Sequence, residues 1–108
     1  MSAEFARWMR DRDALLTPTV PITATPLAEV DEATSPLTTW TRGANYVGGC
    51  ATRLPAGFSA DHLPIGIQLT GVAFAAGMLV RLGRAFQKAT DWHLRRPGQA
   101  GRNPSIDR

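Results

Sequence analysis

A serine, an aspartate and a histidine crowd one short stretch, LPAGFSADHLPIGIQLTG, which runs from Leu54 to Gly71. Ser59, Asp61 and His62 are the residue types of a nucleophile, an orienting acid and a general base. A working triad sets the base between the other two, with a hydrogen bond to each and an oxyanion hole beside the nucleophile. Neighbours within one turn rarely converge that way. The spacing therefore predicts a structural turn between two apolar strands, with no catalytic residue in it.

The remaining reactive types are sparse. Cys50 follows Gly48 and Gly49, and such a pair can present a nest of backbone N–H groups. A reactive thiolate also needs a nearby base or a positive field. The two histidines, His62 and His93, are not placed beside Cys50 by the sequence, so Cys50 reads as a packing residue at the start of a strand. Two distant histidines and a single cysteine offer no metal-ligand spacing. No glycine-rich phosphate loop is present, and neither metal nor cofactor is expected. Trp8, Trp40 and Trp92 occupy apolar helical positions and read as packing residues, while Arg81, Arg84 and Lys88 read as a solvated helix face.

These residues must be positioned by a chain of 108 residues, room for one domain. Its 44% hydrophobic and 19% charged content is that of an ordinary globular protein. The net charge of +3 comes almost wholly from arginine, since Lys88 is the only lysine, and no basic run extends beyond Arg95-Arg96. A nucleic-acid partner is therefore not expected. No apolar run approaches the roughly 20 residues of a membrane helix, and the start MSAEFARWMRDRD is too charged for a secretory signal. A soluble, cytoplasmic chain without an internal disulfide is expected.

Periodicity predicts the elements. Phe5, Trp8 and Met9 share a face of a first helix, with Ser2 as its N-cap. Ala14–Leu16 reads as a short buried strand that stops before Pro18. Pro18, Pro21, Pro26 and Pro36 mark a long irregular loop, whose PxxP spacing reads as a rigid connection. Leu37, Trp40, Ala44 and Val47 predict a second helix, ended by Gly48-Gly49. CATRLP and PIGIQLTG read as strands joined by the GFSADHL turn, too short for a parallel crossover, so the pair is antiparallel. Met78, Leu82, Ala85, Phe86 and Ala89 predict a long helix over Ala76–Asp91, with Leu82 and Phe86 buried and Arg84 exposed. Beyond Arg95 the chain turns glycine- and proline-rich and reads as a flexible tail over 95–108, following a structured segment over 1–94.

The blocks DALLTPTVPITA, TTWTRGANYVGG, LPAGFSADHLPIGIQLTGVAF and LVRLGRAFQKATDWHLRRP, in this order and spacing, resemble the C-terminal part of amidase-signature hydrolases from about Phe5 to Pro97. The resemblance implies an α/β fold, here a partial amidase-type sheet that is mixed, with an antiparallel pair of strands, and flanked by helices. It also implies amide-bond hydrolysis by a Ser–cis-Ser–Lys triad that lies in an N-terminal signature region of the family. The serines of this chain are Ser2, Ser35, Ser59 and Ser105, with no serine pair, so no credible Ser–Ser–Lys relay can be assembled with Lys88.

The chain departs from the family pattern at three places. Cys50 stands where the family usually has proline, and His62 where its turn usually has a glycine whose conformation is costly for other residues. Thr38 stands near the position where glutamine-using members carry an aspartate, which favours a general amidase over a tRNA amidotransferase.

The expectation is thus a C-terminal scaffold of an amidase, inactive alone and without catalytic residues. Its partner is the missing N-terminal amidase portion, or another copy of itself. Substrate contacts, if the domain is completed around a small-molecule amide, fall to the loop Thr17–Pro26 or to the helix start Thr38–Arg42, with Thr38, Trp40 and Thr41 the named residues. The alternative is a non-catalytic module derived from an amidase that self-associates or docks to a partner. Either way, an open sheet edge and uncovered apolar faces predict an oligomer.

Overall fold

Proline sorts the strands before any packing is considered. It cannot donate to a ladder, so it is confined to edge strands, strand starts and bulges. The structure, a computed structural model, describes residues 1–96. It contains one three-stranded sheet in the order β1-β3-β2, from β1 (Leu15–Pro18), β2 (Cys50–Phe58) and β3 (Pro64–Gly71). Pro18 and Pro55 lie on the two outer strands, and Pro64 opens the central one.

Both pairings are antiparallel, β1 with β3 from Leu15 opposite Thr70 to Pro18 opposite Ile67, and β2 with β3 from Cys50 opposite Gly71 to Phe58 opposite Pro64. The expected antiparallel pair is β2–β3, forced by its short turn. β1 joins the other side of β3 in the same sense, so the mixed character expected of the sheet does not arise among the described strands.

The edge prolines take outward positions. Thr19 N–H donates to the Gly66 carbonyl at 3.1 Å, which turns the polar groups of Gly66 toward β1. By the alternation of an antiparallel ladder, Pro55 opposite Gly66 and Pro18 opposite Ile67 then point their nitrogens away from β3. Each free edge lacks a donor there, which blunts it against pairing with another strand.

Residues directly opposite share a face. Leu54, Ile67 and Leu69 fall on one face, and α3 (Ala76–Ala89) packs over it with Leu79 and Gly83 buried. Leu79 is 1% exposed and is the centre of this small core. Leu82 and Phe86 pack against its edge half-buried, while Arg84 is exposed as expected. The expected stripe is thus rotated by one residue: Leu79 and Gly83, not Ala85 and Ala89, face the sheet. Gly83 is there because Leu54 lies closest to α3 at that turn, 3.3 Å from where a Cβ would stand. Leu16 lies on the same sheet face but 61% exposed, because α3 covers β2 and β3 rather than β1.

The opposite face carries Leu15, Thr17, Gln68 and Thr70, under α2 (Thr41–Val47) and Phe5 of α1 (Ala3–Trp8). Ser2 caps α1, its hydroxyl accepting from Phe5 N–H at 3.3 Å. Of the expected apolar face of α1, Met9 is buried and Trp8 is exposed, with the Arg12 guanidinium 4.4 Å over its ring. α2 starts at Thr41 rather than Leu37, because Thr39 sends both its N–H and its hydroxyl to the Pro36 carbonyl and holds a non-helical turn. It ends at Gly48 in the left-handed region, and the next residue must also be glycine: a Cβ on Gly49 would stand 2.5 Å from the Gly71 carbonyl oxygen. α3 closes at Ala89. Trp92, in a short 3-10 turn, then packs edge-on against Phe58 of β2 at 6.4 Å. Arg95 pairs with Asp91 at 3.1 Å and covers the Trp92 ring. The rest of the expected tail lies outside the described residues. No helix among the described residues is long and apolar enough to cross a membrane.

If Leu79 centres the core, Leu79→Ala should lower stability by about 3 kcal/mol, whereas Val80→Ala, on an exposed side of the same helix, should stay within about 0.5 kcal/mol. Urea denaturation of the two variants checks this. A larger loss at Val80 would show that α3 presents a different face.

Candidate functional site

The turn that crowds Ser59, Asp61 and His62 is held by its own backbone. Ser59 N–H donates to the Leu63 carbonyl at 2.9 Å, and His62 N–H donates to the Ser59 carbonyl at 2.9 Å. The Ser59 hydroxyl accepts from Leu63 N–H at 3.2 Å, which is the work of a turn cap. The other two described serines are occupied likewise: Ser2 caps α1, and the Ser35 hydroxyl accepts from Leu37 N–H at 3.4 Å. Lys88 is exposed in the last turn of α3, on a different element from all three. The Cys50 thiol donates to the Val72 carbonyl at 3.2 Å on the α3 side of the sheet. His93 sits in the Trp92–Leu94 turn with Nδ1 buried and unpartnered. Among the described residues no three His, Cys, Asp or Glu side chains gather as a metal site would require.

His62 adopts φ 62°, the left-handed region that favours glycine. The conformation inferred for the family's glycine at this turn is therefore present, with histidine bearing its cost.

Chemically, the richer site is on the other face of the sheet. A cavity of about 230 Å³ lies between β1, β3 and α2, walled by Phe5, Leu15, Trp40 and Val47 and floored by Thr17, Gln68 and Thr70. Gln68 is 1% exposed. Its Nε2 donates to the Trp40 carbonyl at 3.1 Å and to Thr70 Oγ1 at 3.3 Å. A carbonyl can only accept, so this contact fixes which end of the amide is nitrogen. Oε1 is left buried without a partner, as is Thr17 Oγ1, from the residue directly opposite Gln68 on β1.

Of the expected contact residues, the structure brings Trp40 into this cavity wall, half-exposed and with its carbonyl anchored by Gln68. Thr41 begins α2 just behind it, outside the lining. Thr38 is on the surface of the preceding turn, its hydroxyl accepting from Arg42 Nη2 at 2.6 Å. Gln68 and Thr70 had no place among the expected residues. The available signal was a glutamine and a threonine in phase within an otherwise apolar strand, IGIQLTG, where period two puts both on one face.

With fold and geometry in place, comparison with known proteins identifies the class. The family model described as Amidase matches residues 1–80. The chain is 43% identical over 90 residues to the A subunit of the glutamyl-tRNA(Gln) amidotransferase of Desulfatibacillum aliphaticivorans, covering 79% of this chain and 18% of that protein. It is 39% identical over 102 residues to the protein of the same name from Chloroflexus aggregans, covering 90% and 20%. The crystal structure of the corresponding glutamyl-tRNA(Gln) amidotransferase protein from Thermotoga maritima superposes with a TM-score of 0.73 at 36% identity, over 81% of this chain and 20% of that one. The chain belongs to the amidase family, and it spans about a fifth of the length of the curated relatives it matches.

The turn geometry generates a direct expectation. His62→Gly should raise stability by about 0.5–1 kcal/mol, the relief of left-handed strain less the greater freedom of glycine in the unfolded chain. Thermal or urea melts of the pair measure it, and a loss on substitution would mean that the imidazole makes contacts that outweigh the strain.

Proposed function

We propose that this chain is the C-terminal portion of an amidase domain, without catalytic residues of its own, and that it serves as scaffold and partial wall for amide chemistry supplied by a preceding portion. One observation carries the reading. Among the described residues four apolar side chains are buried, Met9, Leu54, Leu69 and Leu79, whereas thirteen large ones are exposed. Single exposed apolar residues are ordinary, but a chain of this length can bury a larger core than this. Leu16 on the sheet and Val80 on α3 lack cover, and Phe74 is 100% exposed in the left-handed region.

The local caps that occupy Ser2, Ser35 and Ser59, and the distant placement of Lys88, support the absence of a Ser–Ser–Lys relay. The relatives are each named as one subunit of an amidotransferase for glutamyl-tRNA(Gln), which supports partner subunits and transfer of an amide group. Thr38, in place of the aspartate implied for glutamine-using members, favours a general amidase instead. Association with a covering portion through these apolar faces is favoured over strand pairing at the edges, since Pro18 and Pro55 remove outward donors there.

Two measurements test the reading. The purified chain should hydrolyse glutamine and simple amides no faster than buffer, and Ser59→Ala should leave that background unchanged. Turnover abolished by Ser59→Ala would return the turn to catalysis. In sedimentation at micromolar concentration the chain should self-associate through its uncovered faces. A cooperative monomer would show that it closes its own core and would remove the need for a missing portion.

A further inference from the structure

We propose that the outer face of α3 docks the acidic segment 27–32 of a second copy of this chain, so that copies join head to tail. Charge is segregated along the sequence. Between Arg12 and Arg42 stand four carboxylates, Asp13, Glu29, Asp31 and Glu32, with no lysine or arginine among them. α3 carries Arg81, Arg84 and Lys88 and no acid. The ion pair found among the described residues joins Asp91 to Arg95, so neither charged group is neutralised there by a residue of its own copy.

Both surfaces are open. With Leu79 and Gly83 against the sheet, the helical period puts Arg81, Arg84 and Lys88 on the side away from it and Val80 at the border, all exposed. Arg81–Arg84 and Arg84–Lys88 are three and four residues apart, where like charges repel. An anionic surface laid along this face relieves that repulsion. The segment 27–32 offers one with apolar residues interleaved. Leu27 is 90% exposed, Val30 is half-exposed, and Glu29 and Glu32 are exposed beside them. Asp31 Oδ1 accepts from Ala33 N–H at 3.0 Å, which shapes the turn and leaves the two glutamates for outward contact. Leu27 or Val30 can then meet Val80 while the glutamates meet the guanidinium groups. Acid and base lie on different surfaces of one copy, so the contact is heterologous: each copy keeps one free face of each kind, and the assembly extends. A handful of side chains on each surface falls well short of the roughly 20–30 residues a side of a stable interface. The Kd is therefore on the order of 10–100 μM.

The inference deepens the proposed self-association by naming its contact, and it rests on that reading for the absence of a covering portion. Sedimentation of the full chain over a concentration series tests it, at about 0.02 M and about 0.5 M sodium chloride. Association should weaken about tenfold at the higher salt, because exposed charges are screened there. Contact through apolar faces alone would not weaken. Two double variants remove one surface each: Arg81→Gln with Arg84→Gln, and Glu29→Gln with Glu32→Gln. All four positions are exposed, so both variants should melt like the parent chain. Each alone should associate at least about tenfold more weakly at low salt. An equimolar mixture should regain the parent affinity and stop at the dimer, since one intact surface of each kind remains. Association indifferent to salt and to both variants would overturn the contact while leaving the uncovered apolar faces as the cause. A mixture no stronger than its separate components would overturn the complementarity. A monomer at every concentration would overturn the contact as well. Hydrolysis of amides by the chain alone would remove the scaffold reading and leave this contact standing.

Discussion

Everything in the described fold hangs on β3 being flanked and covered at once. It pairs with β1 on one side and β2 on the other, and it meets α3 on one face and the Trp40–α2 segment on the other. Over its second half, from Gln68 to Gly71, the strand is buried and has no solvent to turn to. Its apolar phase, Ile67 and Leu69, contributes to the core with Leu54 and Leu79. Its polar phase, Gln68 and Thr70, must find partners inside. Gln68 finds them by reaching 28 residues back along the chain to the Trp40 carbonyl, and in doing so it ties the start of α2 to the sheet. One buried amide thus links the central strand to the segment whose residues wall the cavity.

Coverage thins away from β3. α3 is a single helix of 14 residues, and it covers two strands of three. Leu16, in phase with Leu69 across the ladder, therefore stays open although its position is a core position. The outer edges are treated differently. Pro18 and Pro55 turn their nitrogens outward, so the edges resist pairing while the faces stay apolar. That combination suits a chain whose neighbours pack against it face-on, which is the arrangement the proposed preceding amidase portion requires.

The sheet was legible because its signals are local and redundant. Alternation in IGIQLTG, the short turn before it and the prolines on either side all point to an antiparallel pair. The helices were legible in existence and less so in phase. Met78, Leu82, Ala85, Phe86 and Ala89 make a plausible stripe by residue type, but alanine is indifferent to burial, and Leu79 with Gly83 fits the sheet more closely. The N-terminal part of α2 was lost to Thr39, whose side chain competes for the Pro36 carbonyl. The cavity was not legible at all, because it depends on Thr17, Trp40 and Gln68 meeting from three separate segments. Period two could show that Gln68 and Thr70 share a face, but not that this face would be roofed.

The two ends of β3 show how local strain and missing cover differ. His62 precedes the strand and Phe74 follows it, and both sit in the left-handed region, at φ 62° and φ 65°. Such residues cost about 1–2 kcal/mol each in a bulky side chain and persist only where the surroundings hold them. For His62 the holders are visible: three hydrogen bonds between Ser59, His62 and Leu63 close the turn whatever residue occupies it. At the other end, Ala75 N–H donates to the Val72 carbonyl at 3.1 Å and the Cys50 thiol reaches the same oxygen, so the backbone around Phe74 is held too. Its ring, however, touches nothing that would repay an aromatic at a position where glycine fits better. The strain at His62 is complete within the chain. At Phe74 the backbone cost is borne here, and no packing among the described residues offsets it.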